Sequence, residues 1–315
     1  MKMKQAENIY LSKFSEWLII QGRSSKTAQS FCGNIKRFLE WLEKENIEAE
    51  NTSYRDLLAY VKYLKNKNNK QRTQQVTVNA IKHFYNFLQS EETVTENPAN
   101  IILIKGIKRK TLHEILTPEE LGTLYRNYNT EIKREPGKRM PPQKNNALAR
   151  VRNKIILGLI IYQGLRTEEL ARIEIQDLKL REGKIFITGS RRTEERTMKL
   201  ESHQVYDLLE YTNTTRKQIL TATKKNSSKV FISVGTSLNF QNIMQKLMQS
   251  VRGINPKIKD LNQIRTSVIT NWLKVHNLRK VQYMAGHRYV SSTEAYQQNN
   301  IEELQEDIKK YHPIG

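Results

Sequence analysis

Apolar positions in the first part of the chain recur every three or four residues, the spacing of a single helix face. Ile9, Phe14, Trp17, Leu18 and Ile20 form one such face, and Phe31, Ile35, Phe38, Leu39 and Leu42 form a second. Two further runs follow, Tyr54 to Leu64 (Leu57, Leu58, Val61, Leu64) and Val76 to Leu88 (Val78, Ile81, Phe84, Tyr85, Leu88). Thr52 and Ser53 stand where the third helix needs a side-chain oxygen for its unpaired N–H groups. Lys65 to Arg72 is a basic, amide-rich connector. Four helices in about 90 residues predict a small bundle. It ends at Asn97-Pro98, because a residue before proline is pushed out of the helical region.

Beyond the bundle the pattern changes twice. Residues 101–113 are a basic linker containing Lys105, Lys108, Arg109 and Lys110. A solvated connector and a clasp along a phosphate backbone account for it equally well. Thr117-Pro118-Glu119-Glu120-Leu121 opens the next helix, with Thr117 as cap, Pro118 at the first position and Glu120 closing a capping box. Tyr128 to Lys154 is polar and basic, holds Pro136, Pro141 and Pro142, and predicts a long loop. Ile155 to Leu165 is a buried helix ending near Gly164. The period then shortens to two, and Lys184–Thr188 with Arg196–Leu200 predict a hairpin around Gly189 to Glu195. A short strand from Lys229 to Val234 and several helices complete the chain. The fold class is mostly α with a small antiparallel sheet. It divides into a helical domain over 1–100, the linker over 101–113, and an α+β domain over 114–315.

Charge narrows the partners. The 315 residues carry 53 Lys+Arg against 32 Asp+Glu, a net of +21. Residues 1–110 hold 19 of the basic and 11 of the acidic groups, so the excess is spread over both halves. Two folded parts gripping one extended polyanion fit this better than a globule with a basic arm. No apolar run approaches the roughly 20 residues of a membrane span, so no membrane partner is expected. The N-terminus has no apolar signal core, and the single cysteine, Cys32, reads as a small buried apolar residue. The expected location is the cytoplasm.

Many chemistries lack their residues. Gly158, Gly164 and Gly183 stand alone, so no glycine-rich phosphate loop is present. Six scattered histidines and one cysteine offer no metal site, and no cofactor is implied. What remains is a set of cationic and hydroxyl groups in the second half. Arg166 follows a glycine turn at a helix start, where it either joins free N–H groups in binding an anion or pairs with Glu168 or Glu169. Arg265 lies early in a helix beside Ile264, Val268, Ile269 and Trp272, where it must snorkel, pair or bind a ligand. His287 follows Gly286, and Tyr296 comes nine residues later in a new short helix.

At these residues the chain resembles the tyrosine recombinase (phage integrase) family. Gly164 to Leu170 matches its G-x-R-x-x-E-L box, Asn262 to Arg265 stands at its H-x-x-R box, and Gly286-His287 through Thr293 to Tyr296 matches its G-H and T-x-x-Y elements. The resemblance spans nearly the whole chain. It implies that 1–100 is a DNA-clamping domain and 114–315 the catalytic domain. Tyr296 would attack a DNA phosphodiester to give a 3′-phosphotyrosine without ATP or metal. Arg166 and Arg265 would hold the non-bridging oxygens, His287 would hydrogen-bond the same phosphate, and Glu169 would orient Arg166 or its helix. The implied partners are double-stranded DNA at specific recombination sites, three further copies of the chain in a tetramer on two DNA sites, and accessory DNA-bending or directionality proteins. The implied setting is the nucleoid, in a mobile element's recombinase or a chromosome-dimer resolvase.

Two positions depart from the family pattern. Asn262 replaces the first histidine of the H-x-x-R box and cannot carry a proton near neutral pH. The family's general-acid lysine lies in the hairpin turn, which here reads Gly189-Ser190-Arg191-Arg192-Thr193-Glu194-Glu195. Arg191 or Arg192 stands in its place, and guanidinium is a poor proton donor; Lys184 and Lys199 flank the strands as weaker candidates. The leading expectation is a site-specific recombinase or integrase. The alternatives are a catalytically impaired DNA-binding relative with a regulatory role, and a type IB topoisomerase. Ile301, Leu304 and Ile308 form a stripe that packs either on its own domain or on a neighbouring protomer.

Overall fold

The computed structural model describes residues 2–106, 114–130, 143–235 and 239–297. They fall into two compact units, Met1–Thr111 and Leu112–Gly315. Linker residues 107–113, the proline-containing segment 131–142 and the Ile301, Leu304 and Ile308 stripe lie outside the described residues.

The first unit is a bundle of α1 (Lys2–Ile20), α2 (Ser25–Lys44), α3 (Tyr54–Asn66) and α4 (Gln71–Ser90). Aromatic rings dominate its core: Phe14 meets Phe84 edge-on at 5.5 Å, and Phe38 lies 4.9 Å from Tyr60. Ser53 caps α3 by accepting the Asp56 N–H, while the Asp56 carboxylate takes the Ser53 N–H in return. The basic connector shrinks to residues 67–70, because α3 and α4 each extend into it. Two residues assigned to inner faces turn outward. Ile20 is 81% exposed and Leu58 44%, and Tyr60 fills the core instead. The cause is angular: Ile20 stands two residues from the buried Leu18, and Leu58 one residue from the buried Leu57, so each points away from its neighbour.

The second unit is built around a long helix. It contains α5 (Pro118–Arg126), α6 (Gln143–Gln163), α7 (Thr167–Leu170), then β1 (Leu178–Lys179), β2 (Lys184–Ile187) and β3 (Arg196–Lys199). There follow α8 (Ser202–Glu210), a π-helical turn over Tyr211–Thr215, α9 (Arg216–Thr223), α10 (Phe240–Ile254), α11 (Leu261–Val275), α12 (Leu278–Ala285) and α13 over residues 291–297. Thr117 and Glu120 form the predicted capping box of α5. The three strands are antiparallel in the order β1-β2-β3, with Ile185 opposite Met198 and Ile187 opposite Arg196. At two residues, β1 is too short to show a period in the sequence.

Two sequence expectations fail here. The predicted loop from Tyr128 to Lys154 is helical from Gln143 onward, as the first half of α6. Its run is polar because two polar residues face inward: Arg152 is 1% exposed and Asn153 4%. The Arg152 guanidinium donates to the Ile232 carbonyl at 2.7 Å and to Asn153 Oδ1 at 2.8 and 3.1 Å. The predicted strand Lys229 to Val234 is only an isolated bridge, Lys229 to Glu174. Val230, Phe231 and Ile232 are buried; the Val230 N–H donates to the Ile173 carbonyl, and side chains take the carbonyls of Val230 and Ile232 in place of a strand. Tyr211 Oη–H donates to the Val230 carbonyl at 2.9 Å, and Arg152 takes Ile232.

Where α6 ends, an uncharged network ties three elements together. Gln163 and Gln204 exchange amide hydrogen bonds at 2.9 and 3.0 Å, Gln163 also donates to the Lys199 carbonyl, and Gln204 accepts the Glu201 N–H.

Tyr211→Phe removes a buried donor and leaves the Val230 carbonyl unpaired. The expected loss is about 1–2 kcal/mol of unfolding free energy by urea titration. Tyr206→Phe, at a 68% exposed site, should leave the midpoint unchanged.

Candidate active site

Segments scattered over 130 residues of sequence converge beyond the end of α6. The chain leaves α6 through Gly164, whose φ is +58° and where a Cβ would stand 3.0 Å from the Trp272 ring. Both facts call for glycine. Two residues later Arg166 caps α7 in an extended conformation, half-buried, and its backbone N–H donates to Glu169 Oε2 at 2.8 Å. Glu169 is the centre of the arrangement. It is 2% exposed and takes two bonds from Arg196, Nη1 to Oε1 at 2.8 Å and Nη2 to Oε2 at 3.1 Å. Burial pushes its carboxyl up, but the Arg196 bonds and charge, the Arg166 N–H and the charge of Arg265 hold it below the usual range. Glu169 is therefore ionised. It meets Arg166 through the backbone, not through the guanidinium.

Arg265 enters from α11, 4% exposed. Its Nη2 donates to the Ala285 carbonyl at 2.8 Å, while its Nη1 is buried without a hydrogen-bond partner. Burial, then the charge of Arg166, pushes its guanidinium down to about 10, against the opposing influence of Glu169 and Tyr296.

His287 follows the left-handed Gly286 at the end of α12 and is 3% exposed. Its Nδ1 lies 2.9 Å from Thr293 Oγ1, and its ring stacks on Tyr296 with centroids 5.6 Å apart and planes 18° from parallel. Burial, then the charges of Arg265, Arg166 and Arg196, pushes the imidazole down to about 3. It is neutral in the free protein, with one donor and one acceptor nitrogen. Tyr296, on α13, is half-buried and packs against Ile269, Val281 and Ala285.

The remaining sequence candidates lie at the margin. Asn262 is exposed in the first turn of α11, although Gln263, Ile264 and Arg265 beside it are buried. Arg191 and Arg192 are exposed at the hairpin tip. That tip is fastened to the histidine turn: Thr193 bridges to His287, the Glu194 N–H donates to the Gly286 carbonyl, and Arg288 bonds Glu194 Oε1 at 2.8 Å and the Arg191 carbonyl at 3.0 Å. Lys184 pairs with Glu182 at 3.2 Å, and Lys199 is exposed.

Sequence reasoning missed Arg196, reading it only as the start of a strand. A signal was present, because Arg196 alternates with Met198 on the inward face of β3, where an arginine is out of place. Among the described residues, no three His, Cys, Asp or Glu side chains gather as a metal site, and no helix is long and apolar enough to cross a membrane.

Comparison with known proteins places this geometry in context. The profile of the phage integrase family matches residues 114–303, and that of the phage integrase N-terminal SAM-like domain matches 11–92. Tyrosine recombinase XerC of Bacillus subtilis (strain 168) is 24% identical over 321 residues, covering 99% of this chain and 98% of the relative. Tyrosine recombinase XerD of Oceanobacillus iheyensis is 24% identical over 303 residues, covering 94% and 95%. In fold, the chain is similar to the XerH site-specific recombinase bound to a palindromic difH substrate in a post-cleavage complex. That match has a TM-score of 0.66 at 17% identity, covering 91% of this chain and 80% of that one. It is also similar to a lambda integrase tetramer bound to a Holliday junction, with a TM-score of 0.63 at 12% identity, covering 92% and 76%.

The depressed His287 has a signed consequence. An unfolded chain protonates this histidine near 6.5, the folded one only near 3. The stability it contributes is present above pH 6.5 and is lost as pH falls toward 3. His287→Gln should therefore narrow the gap between urea midpoints at pH 7 and pH 5, and in NMR the wild-type His287 ring should not titrate between pH 5 and 8.

Proposed function

The chain belongs to the phage integrase family, and from that membership we propose that it is a site-specific DNA recombinase acting through Tyr296. The observation that carries the reading is the buried, unpartnered Nη1 of Arg265. It sits in a cluster of three arginines with one carboxylate, beside the stacked His287 and Tyr296. Buried donors in native proteins find acceptors, and a phosphodiester supplies the missing ones. Its single negative charge suits a site with two cations in excess.

In the proposed reaction the Tyr296 Oη attacks phosphorus, the bond to the 5′-oxygen breaks, and a 3′-phosphotyrosine forms. The phenol loses its proton as the 5′-oxygen gains one. Reversal by the 5′-hydroxyl of another strand rejoins the DNA, and because an ester replaces an ester no ATP is consumed. Arg166 and Arg265 hold the non-bridging oxygens, and their charge counts most as the pentacoordinate phosphorus gains a second negative charge. Thr293 engages His287 Nδ1 and leaves Nε2 to donate to the same phosphate. Arginine performs here the charge stabilisation that other strand-cleaving sites assign to metal ions. Arg191 or Arg192, at the hairpin tip beside the histidine turn, is assigned to the leaving oxygen, but guanidinium gives up its proton reluctantly. Asn262, at the outer edge of the site, is assigned a hydrogen bond to the phosphate backbone. Both units contribute positive charge to the grip on duplex DNA. Strand exchange is assigned to four copies on two duplexes, in keeping with the fold shared with the lambda integrase tetramer.

The test uses nicked duplexes, selected from a random-sequence pool by binding, in which cleavage releases a short strand and traps the enzyme. With EDTA present, wild-type protein should give a covalent adduct on denaturing gels, and Tyr296→Phe should give none. Specific binding with no adduct from the wild type would overturn the reading and favour a regulatory DNA-binding role.

Arg191→Lys installs a group able to donate its proton and should raise the single-turnover cleavage rate roughly 10-fold. A bridging 5′-sulfur, which leaves without protonation, should erase that gain.

A further inference from the structure

Arg196 has no part in the chemistry above, yet it is the most enclosed charge in the site. It is 2% exposed, at the first residue of β3. Both terminal nitrogens grip Glu169, with side-chain exposures of 0% and 1% for the pair. Its Nε is buried with no partner. Stability alone does not explain such a residue, because an apolar pair of similar volume commonly fills a buried site at no loss. Here the cost is higher still, since Arg166 and Arg265 crowd the same space.

Two contacts show what the arginine does. On one side, the Glu169 carboxylate that it holds also receives the Arg166 backbone N–H, so the rotamer of Glu169 fixes where α7 begins. On the other, Gly286 rests directly on the guanidinium. A Cβ there would lie 2.2 Å from Arg196 Nη1 and 2.8 Å from Cζ. The backbone immediately before His287 is thus seated on Arg196, and the Glu194 N–H to Gly286 carbonyl bond keeps it there. We propose that Arg196 is a positioning residue: clamped by Glu169 and pressed against Gly286, it sets the spacing between Arg166 and His287 so that both address one phosphate. This assignment rests on the recombinase reading and names a residue that sets the geometry of the same site.

The experiment measures single-turnover adduct formation by wild type, Arg196→Lys, Gly286→Ala and the double variant, together with DNA affinity and Tm. Each duplex carries either a phosphodiester or an uncharged methylphosphonate at the cleaved position. Arg196→Lys keeps the charge but loses the two-pronged grip, and displacement of the site should slow adduct formation roughly 100-fold on the phosphodiester with affinity nearly unchanged. On the methylphosphonate, where no anion awaits the displaced guanidinium of Arg166, the deficit should shrink to roughly 5-fold. Gly286→Ala should behave alike, and the double variant should be no slower than Gly286→Ala, because the shorter lysine relieves the collision.

Equal deficits on both substrates, a wild-type rate for Arg196→Lys, or multiplying losses in the double variant would each overturn the assignment while leaving the recombinase reading intact. If Arg196→Lys does not fold, Gly286→Ala, which keeps both Arg196 and Glu169 in the chain, faces the same substrate comparison. No Tyr296-dependent adduct from the wild type would overturn both.

Discussion

One buried negative charge makes the rest of the site possible. Glu169 is a carboxylate set among Arg166, Arg196 and Arg265, and it has nearly no contact with water. Guanidinium groups brought together in a low-dielectric interior repel strongly unless an anion is interposed. Glu169 neutralises one of them outright through two hydrogen bonds and moderates the other two by proximity. A protonated Glu169 would withdraw its compensating charge from the guanidinium groups beside it. The ionised form is secured by the same bonds it provides, so the charge and the geometry support each other.

The neutral state of His287 comes first from its burial. The charges of Arg265, Arg166 and Arg196 add to it, expelling a proton from an imidazole with little access to solvent, while Glu169 opposes them. In the free protein, the ring therefore contributes packing against Tyr296 and a hydrogen bond with Thr293, without adding to the positive charge. An incoming anion offsets the arginines and eases protonation of the ring. Anion and proton thus favour one another at this residue.

Much of this was legible in the sequence where a short-range rule applied. The four bundle helices follow from apolar spacing, the Thr117 capping box from adjacent residues, and the hairpin from a change of period. Arg166, Arg265, His287 and Tyr296 could be singled out as candidates because each sits in a compact motif. The failures share the opposite trait. The first half of α6 looked like a loop because its inward residues include Arg152 and Asn153, and the Ile232 carbonyl that Arg152 bonds is 80 residues away. Lys229 to Val234 looked like a strand because an apolar run does not reveal whether a neighbouring strand or the distant Tyr211 will satisfy its backbone. Glu169 was read as orienting Arg166 or its helix, and it does accept the Arg166 N–H; what the sequence does not show is the guanidinium it also holds, which arrives from 27 residues on, after the hairpin has returned. Pairing across that distance is a product of the fold.

The glutamine pair at the end of α6 shows how the frame and the site differ in kind. Gln163 and Gln204 bind one another, the Lys199 carbonyl and the Glu201 N–H through amides alone. No member of that network titrates, and ionic strength scarcely touches it. A few residues away, Arg166, Glu169, Arg196 and Arg265 rely on charge, and the hairpin tip is latched by the exposed Arg288–Glu194 pair, open to screening. Electrolyte and acid therefore act on these two layers unequally: the reactive layer can be detuned over a span of conditions in which the scaffold beneath it is unaware of any change.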